Sequence, residues 1–311
     1  MISIIIPVYN EGNLVRTCFD RISPYLGPDD EVIFVNDGSH DDTGNCLERL
    51  MGSEPRAKSI ELSRNFGQQP AISAGLQYSS GDAVIVMDCD LQDPPELIPS
   101  LVEKWRSGFD IVHCIRKKRE QVLWKKICYA VFYRLYTRMT EFPTQMQSGD
   151  FSIMSRRVVD VINRMEEQIK FIRGLRAFVG FRQTTLEFDR PDRMEGEPKY
   201  NLAKLFRLAL DGIFSFTTFP LRLMLMAGCI LLVLSFLMIC VLIYAKLFHE
   251  LAVGHTMTYV LVLFFGGINL FCFGILGEYI GKIFYETKRR PYFIVKTFHN
   301  LDERVKGRSN P

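Results

Sequence analysis

Two stretches of this chain, residues 223–245 and 256–277, contain no charged residue. At about 1.5 Å of rise per helical residue each reaches roughly 33 Å, enough to cross a hydrocarbon layer of about 30 Å. A buried core helix of that length without a polar stripe would be unusual. The pattern therefore predicts two transmembrane helices. Residues 246–255, between them, carry a single Lys, Lys246. Lys204, Arg207 and Arg222 precede the pair, and Lys282, Lys288, Arg289, Arg290 and Lys296 follow it. Bases concentrated on both outer flanks place both ends, and the large N-terminal region, in the cytoplasm. Met1 leads directly into a short apolar strand with no basic leader and no cleavage site, so no signal peptide is expected.

The chain has 311 residues, 48% hydrophobic and 23% charged, which leaves room for one sizeable domain besides the spans. A formal net charge of +3 is too small to suggest a nucleic-acid partner. The eight cysteines form no C-x-x-C pair, and Cys229, Cys240 and Cys272 fall in the apolar runs. In a reducing compartment they read as small core residues, with neither zinc nor disulfides indicated. Cys89 reads as packing too.

Before the spans, strand and helix patterns alternate. Apolar runs at 2–8, 31–36, 59–62, 83–87 and 110–115 predict strands. Helical patterns follow to about Ile22, after Asp41 or Asp42 as a cap, over 70–78 and over 95–107. Nearly all-apolar strands alternating with helices predict an α/β fold with a mostly parallel sheet covered on both faces. Ligands of such sheets bind beyond the carboxyl ends of the strands. Tyr9-Asn10-Glu11, Asp37-Gly38-Ser39, Arg64-Asn65 and Asp88-Cys89-Asp90 all fall at such ends, and four clusters on one edge argue for a pocket.

The strand at 83–87 runs straight into Asp88, Asp90, Gln92 and Asp93, then Pro94-Pro95. Carboxylate and amide oxygens are hard ligands suited to Mg²⁺ or Mn²⁺, which usually keep part of their coordination for substrate phosphates. The competing reading makes Asp88 and Asp90 ordinary loop residues. Asp93 is expected to be the N-cap of a helix opening at Pro95. Neither G-x-G-x-x-G after the first strand nor G-x-x-x-x-G-K-[ST] occurs, which disfavours a Rossmann cofactor or a P-loop ATPase. A nucleotide would be held by side chains and a metal.

Two further stretches, 121–142 and 200–219, mix aromatic and aliphatic residues with Lys125, Lys126, Arg134 and Arg138, and with Lys204 and Arg207. The second leads into a span and is expected to lie in the headgroup region. For the first, an interfacial helix and an ordinary core-facing helix both remain open.

Together these residues resemble the family-2 inverting glycosyltransferases, in the branch that charges polyprenyl phosphate with a sugar. Dolichol-phosphate mannose synthases and bacterial undecaprenyl-phosphate (bactoprenol) glucosyl- and aminoarabinosyltransferases belong there. The matching segments are Ile6-Pro7-Val8-Tyr9-Asn10-Glu11, Val35-Asn36-Asp37-Gly38-Ser39, Arg64-Asn65-Phe66-Gly67, Met87-Asp88-Cys89-Asp90-Leu91-Gln92-Asp93-Pro94-Pro95 and Ser148-Gly149-Asp150-Phe151. Gly196-Glu197-Pro198-Lys199-Tyr200, Phe219-Pro220-Leu221-Arg222 and Leu276-Gly277-Glu278-Tyr279-Ile280-Gly281 follow in order. The family commonly has Ser or Thr before the Lys where this chain has Pro198.

The resemblance implies a GT-A type, Rossmann-like nucleotide-sugar domain over 1–199, an interfacial amphipathic helix at 200–221, the two transmembrane helices within 222–284, and a basic cytoplasmic tail at 285–311. It implies a nucleotide-diphosphate sugar donor and an Mg²⁺ or Mn²⁺ cofactor. Pro7, Tyr9, Glu11 and Asp37 would line base and ribose, with Arg64 in the same nucleotide-sugar site. Asp88 would touch nucleotide and metal, and Asp90 and Gln92 would be metal ligands. The expected location is the inner (cytoplasmic) membrane.

A polyprenyl phosphate acceptor is largely dianionic at cytoplasmic pH, since its second pKa lies near 6. Such a nucleophile needs cations to hold it more than a base. Arg116, Arg119, Arg193 and Lys199 are the candidates, although Arg116-Lys117-Lys118-Arg119 also reads as a solvated basic turn. Asp90, Asp150 and Arg116 form the expected catalytic set, with Asp150 orienting the sugar or an arginine. Direct displacement would invert the anomeric centre. The expected reaction transfers glucose from UDP-glucose to undecaprenyl phosphate, for O-antigen or lipopolysaccharide modification. GDP-mannose, UDP-N-acetylhexosamine and UDP-aminoarabinose are alternatives, and a non-catalytic membrane scaffold is the reading from another class. A separate flippase, a downstream transferase and a homo-oligomer are the expected partners. Glu278 reads equally as a functional intramembrane charge or a structural partner of Lys282.

Overall fold

The apolar runs assemble into one eight-stranded sheet, ordered β7-β5-β6-β4-β1-β2-β3-β8. The computed structural model describes residues 1–116, 148–165, 167, 170–188, 219–248 and 255–301. The strands are β1 (Ile2–Val8), β2 (Glu31–Asn36), β3 (Ala57–Leu62), β4 (Ala83–Val86), β5 (Ile111–Arg116), β6 (Ser148–Ser155), β7 (Gln183–Phe188) and β8 (Val295–His299). β1 to β5 and β7 run in one direction, and β6 and β8 run against them.

Helices cover both faces, which is why the strands are apolar without alternation. Ile4 and Ile6 of β1, with Val32 and Phe34 of β2, pack on the face of α1 (Gly12–Ile22), α2 (Thr43–Ser53) and α4 (Ile98–Arg106). Ile5, Ile33 and Val35 point the other way, toward α3 (Gln68–Tyr78), α5 (Arg156–Arg164) and α6 (Ile172–Phe178). Each inward Ile or Val buried in such a layer contributes about 1.5–3 kcal/mol by leaving water.

Several expectations shift. The helix expected over 95–107 opens as a 3₁₀ turn, Pro95–Leu97, before α4. Pro94 holds its N-cap position, not Asp93, and no side chain caps it. Asp93 is diverted to the loop above it, where its carboxylate accepts from the Asp88 N–H. Asp42 stands at the N-cap of α2, but Asp41 accepts the Thr43 N–H at 3.1 Å.

The segment 285–311, expected as a basic tail, supplies a strand. β8 lies antiparallel to β3 at the sheet edge. Lys296 Nζ and Thr297 Oγ1 donate to the two Glu61 carboxylate oxygens at 2.7 and 2.8 Å. The Tyr78 ring meets Phe298 and Phe293 edge-on, and Asn300 Nδ2 donates to the carbonyls of Met51 and Ala57. A basic composition hid a strand in which Val295, Phe298 and His299 are half-buried.

The chain divides into two compact units, and everything above belongs to the first, which includes residues from Arg289 onward. The second contains α7 (Phe219–Phe248) and α8 (His255–Thr287), so both charge-free runs are helical. Residues 219–221, assigned to an interfacial helix, open α7. The stretches 121–142 and 200–218 lie outside the described residues. Both helices expose large apolar side chains, among them Leu225 and Phe236 on α7 and Leu270 and Phe273 on α8. Among the described residues one stretch, Phe264–Gly281 of α8, is long and apolar enough to cross a membrane.

Candidate active site

The shared strand direction brings the carboxyl ends of β1 to β5 and the first residues of β6 to one edge of the sheet. The loops there are laced together. The Asn10 N–H donates to Ser39 Oγ at 3.0 Å, and the His40 N–H returns to Asn10 Oδ1 at 2.9 Å. Glu11 N–H donates to Thr43 Oγ1 at 3.0 Å. Asp37, buried at the end of β2, accepts the Phe66 and Gly67 N–H groups, both at 2.8 Å, one on each oxygen. Burial pushes its carboxyl above the usual range against the pull of those two bonds and of Arg64. Gly38, at φ +64°, is required by close approach: a Cβ there would stand 2.4 Å from the Arg64 carbonyl carbon.

The acidic loop after β4 is built by its own backbone bonds. Gln92 N–H donates to Asp90 Oδ1 at 3.1 Å, Asp88 N–H to Asp93 Oδ2 at 3.1 Å, and Leu91 between them takes a φ of +58°. β4 and β6 pair Val86 with Ser152. Continued two residues, that register sets Asp88 opposite Asp150. Burial, then the charges of Asp93, Asp150 and Asp90, push the half-buried Asp88 carboxyl up to about 8. Gln68 Nε2 donates to Asp88 Oδ1 at 2.9 Å.

Asp150 is differently placed. Arg173 of α6 donates to both its oxygens, Nε to Oδ1 at 2.8 Å and a terminal nitrogen to Oδ2 at 2.7 Å. Burial works to raise Asp150, but Arg173, Arg176 and a Gln69 hydrogen bond outweigh it and hold the carboxyl below the ordinary range. Gln69 Oε1 also accepts the Ile172 N–H at 3.0 Å, fixing the start of α6. Arg176, fully buried, donates to Ser152 Oγ and to the carbonyls of Gly149 and Asp150 at 2.8 and 3.3 Å.

The structure thus brings together Asp88, Asp90, Asp93 and Asp150 on one edge. Gln92 is buried beside them. Tyr9 stands exposed there, and Pro7 pairs in β1 with Val35 of β2. Arg64, exposed, lies over the Phe66 ring at 4.1 Å. Cys89 is buried against Cys18, with the Glu11 side chain hydrogen-bonded to it, and all of these push its thiol up. Arg116 ends β5, whereas Arg119, Arg193 and Lys199 lie outside the described residues. Glu278 is exposed on α8. Gln68, Gln69, Arg173 and Arg176 escaped the sequence reading. Arg173 and Arg176 stand three apart on one helix, and that basic pair is the signal that could have drawn them to Asp150.

Among the described residues no group of three or more His, Cys, Asp and Glu side chains is set to hold a metal. Asp88 and Asp90 nonetheless fit a hard divalent cation. Burial, with the crowding of carboxylates beside it, drives Asp88 upward, and such an ion cancels the charge part of that, with amide and phosphate oxygens completing its shell.

Residues 3–162 match the model of glycosyl transferase family 2. The chain belongs to that family. Its sheet, mixed but mostly parallel, is of the GT-A type. Among its relatives is an uncharacterized glycosyltransferase of Bacillus subtilis (YkcC), 41% identical over 97% of this chain and 95% of its own length. Another uncharacterized glycosyltransferase, from Synechocystis, is 42% identical over 97% and 96%. The bactoprenol glucosyl transferase of Shigella phage SfII is 39% identical over 96% and 98%. A mannosyltransferase of Pyrobaculum calidifontis, solved with GDP-Man and Mn²⁺, is similar at a TM-score of 0.47 and 20% identity, over 69% of this chain and 63% of that one.

Proposed function

We propose that this protein transfers a hexose, glucose from UDP-glucose, to undecaprenyl (polyprenyl) phosphate with inversion, giving a lipid-linked sugar for cell-surface glycan modification. The observation that carries this reading is the facing pair Asp88 and Asp150 at the carboxyl edge of the sheet, one carboxyl pushed up by burial and by its acidic neighbours and the other held ionised by Arg173. The near full-length similarity to bactoprenol glucosyl transferases supports the lipid acceptor and the sugar.

In this reading the loops of Tyr9 to Glu11, Asp37 to Ser39 and Arg64 to Gly67 bind the nucleotide, with Asp37 holding the last of them in shape. Asp88, Asp90 and Gln92 hold Mg²⁺ or Mn²⁺. When bound, the ion supplies positive charge to the leaving diphosphate. Asp150 orients the sugar and does not take a proton, because a dianionic acceptor needs no base. Arg116, Arg119, Arg193 and Lys199 hold the acceptor phosphate beside another anion.

Two membrane crossings are part of the proposal. β8 returns the chain after α8 to the unit that holds the N-terminal strands, so the intervening segment begins and ends on one side. That requires an even number of crossings. With Phe264–Gly281 as one crossing, α7 is the proposed second. Exposed Lys288, Arg289 and Arg290 at the end of α8 fit the cytoplasmic side.

The test incubates detergent-purified protein with undecaprenyl phosphate, Mg²⁺ or Mn²⁺ and radiolabelled nucleotide sugars, and counts label in the organic phase. Label from UDP-glucose alone is the expected result. Label from GDP-mannose, UDP-N-acetylhexosamine or UDP-aminoarabinose alone would replace the sugar and keep the reaction. No label from any donor would overturn the reading.

A further inference from the structure

The Arg173 guanidinium meets the Asp150 carboxylate two-on-two, the geometry that fixes both the place and the plane of a carboxylate. Three further contacts fix the carboxylate or the backbone on either side of the pair. Gln69 hydrogen-bonds Asp150 and the first N–H of α6, so it ties the partner helix to the same carboxylate. Arg176, one turn along α6, grips the β6 backbone at Gly149 and Asp150 from below. Tyr292 Oη donates to the Lys170 carbonyl at 2.9 Å, just before α6 begins. A half-buried ion pair is a weak source of net stability once screening by water and desolvation are counted. Two side chains on one carboxylate, with two more fixing the backbone around it, are better explained by where that carboxylate, which register places opposite Asp88, must point.

We propose that Arg173 is a positioning residue of the transferase site, acting through Asp150, whose carboxylate it locks in one orientation opposite Asp88. The role rests on the transferase reading given above. Arg173 makes its bonds to Asp150 and leaves the sugar to that carboxylate. Its loss therefore frees Asp150 to rotate, lowering the rate at which bound donor reacts while donor binding persists.

The test uses full-length protein in detergent, with UDP-glucose, Mn²⁺ and undecaprenyl phosphate, and compares wild type, R173A, R173K, D150A and R173A/D150A. R173A should lower kcat about a hundredfold, the scale of a small misplacement of a reacting group, with KM for UDP-glucose nearly unchanged. Calorimetric affinity for UDP-glucose with Mn²⁺ should also persist. R173K, which keeps the charge and loses the fork, should regain part of the rate. In the D150A background, R173A should cost almost nothing more. An unaffected R173A, a loss of donor affinity parallel to the loss of rate, or a full additional loss in the double variant would each overturn the role. Should R173A fail to fold, R173K alone and on D150A answers the same question. Wild-type protein that moves no label from UDP-glucose or from any of the other three donors overturns the transferase reading and this role with it, whereas wild type active with one donor and an unaffected R173K overturns the role alone.

Discussion

The hydroxyl of Tyr292, in the chain that follows α8, donates to the carbonyl of Lys170 ahead of α6, across 122 residues of sequence. The sheet-edge segment that carries β8 thereby reaches the helix that holds Asp150. Tyr292→Phe removes one hydrogen bond and leaves a partly buried carbonyl, which costs about 1 kcal/mol. Thermal unfolding in detergent should register a lower midpoint; an unchanged midpoint would mean the bond contributes nothing.

Asp37 spends both oxygens on the Phe66 and Gly67 N–H groups. Asp37→Ala strands both donors and should destabilise the fold by about 3 kcal/mol, since bonds to a charged acceptor are the stronger kind. Loss of UDP binding should accompany it. Denaturant titration and calorimetry check the two effects separately.

His113, buried on β5 with Nε2 at 2.9 Å from Gln183 Oε1, is lowered to about 4 by burial, then by the nearby Arg176, against the hydrogen bond to Gln183. The unfolded chain binds this proton below about 6.5 and the fold does not. The stability His113 brings is thus complete above about 6.5 and is lost as pH falls toward 4, by roughly 3 kcal/mol. His113→Gln should flatten that part of the stability profile. An identical profile in the variant would remove His113 as the cause.

Asp90→Asn should leave circular dichroism unchanged and lower metal-dependent transfer by about a hundredfold or more, the scale of losing a main electrostatic contact to developing charge. Full activity in that variant would sink the metal assignment.

Arg116 ends β5 at the same edge. Arg116→Ala should raise the undecaprenyl phosphate concentration needed for half-maximal rate, with little change in the UDP-glucose requirement. An unchanged acceptor titration would count against its phosphate contact.

Most of the first five strands were legible because they are apolar runs buried on both faces, and the boundaries of β1 and β2 match the expectation to the residue; β3, with Lys58 and Glu61 half-buried, was read two residues short. β6 was not, because Ser148-Gly149-Asp150 and the buried Ser152 and Ser155 break its apolar character. Its polar groups are satisfied by partners such as Arg176 and Asp110 that only the fold supplies. β8 was missed for a related reason: Lys296 reads as a membrane-flanking base until Glu61 is seen beside it. At the site, sequence order marked the carboxylates at strand ends, but not the arginine that holds one of them. Arg173 lies 23 residues beyond Asp150, with α5 between them.

Synthesis runs from the N-terminus, so α7 and α8 leave the ribosome before β8 does. The nascent catalytic unit must therefore wait with β3 as an open edge, Glu61 without Lys296 and Thr297, and the Tyr78 ring without Phe293 and Phe298. An open strand edge is a template for pairing with another chain. The final closure of the sheet is thus the last step in the making of each molecule, and a chain cut short after residue 288 would keep every residue of the acidic loop while carrying an unfinished, aggregation-prone edge.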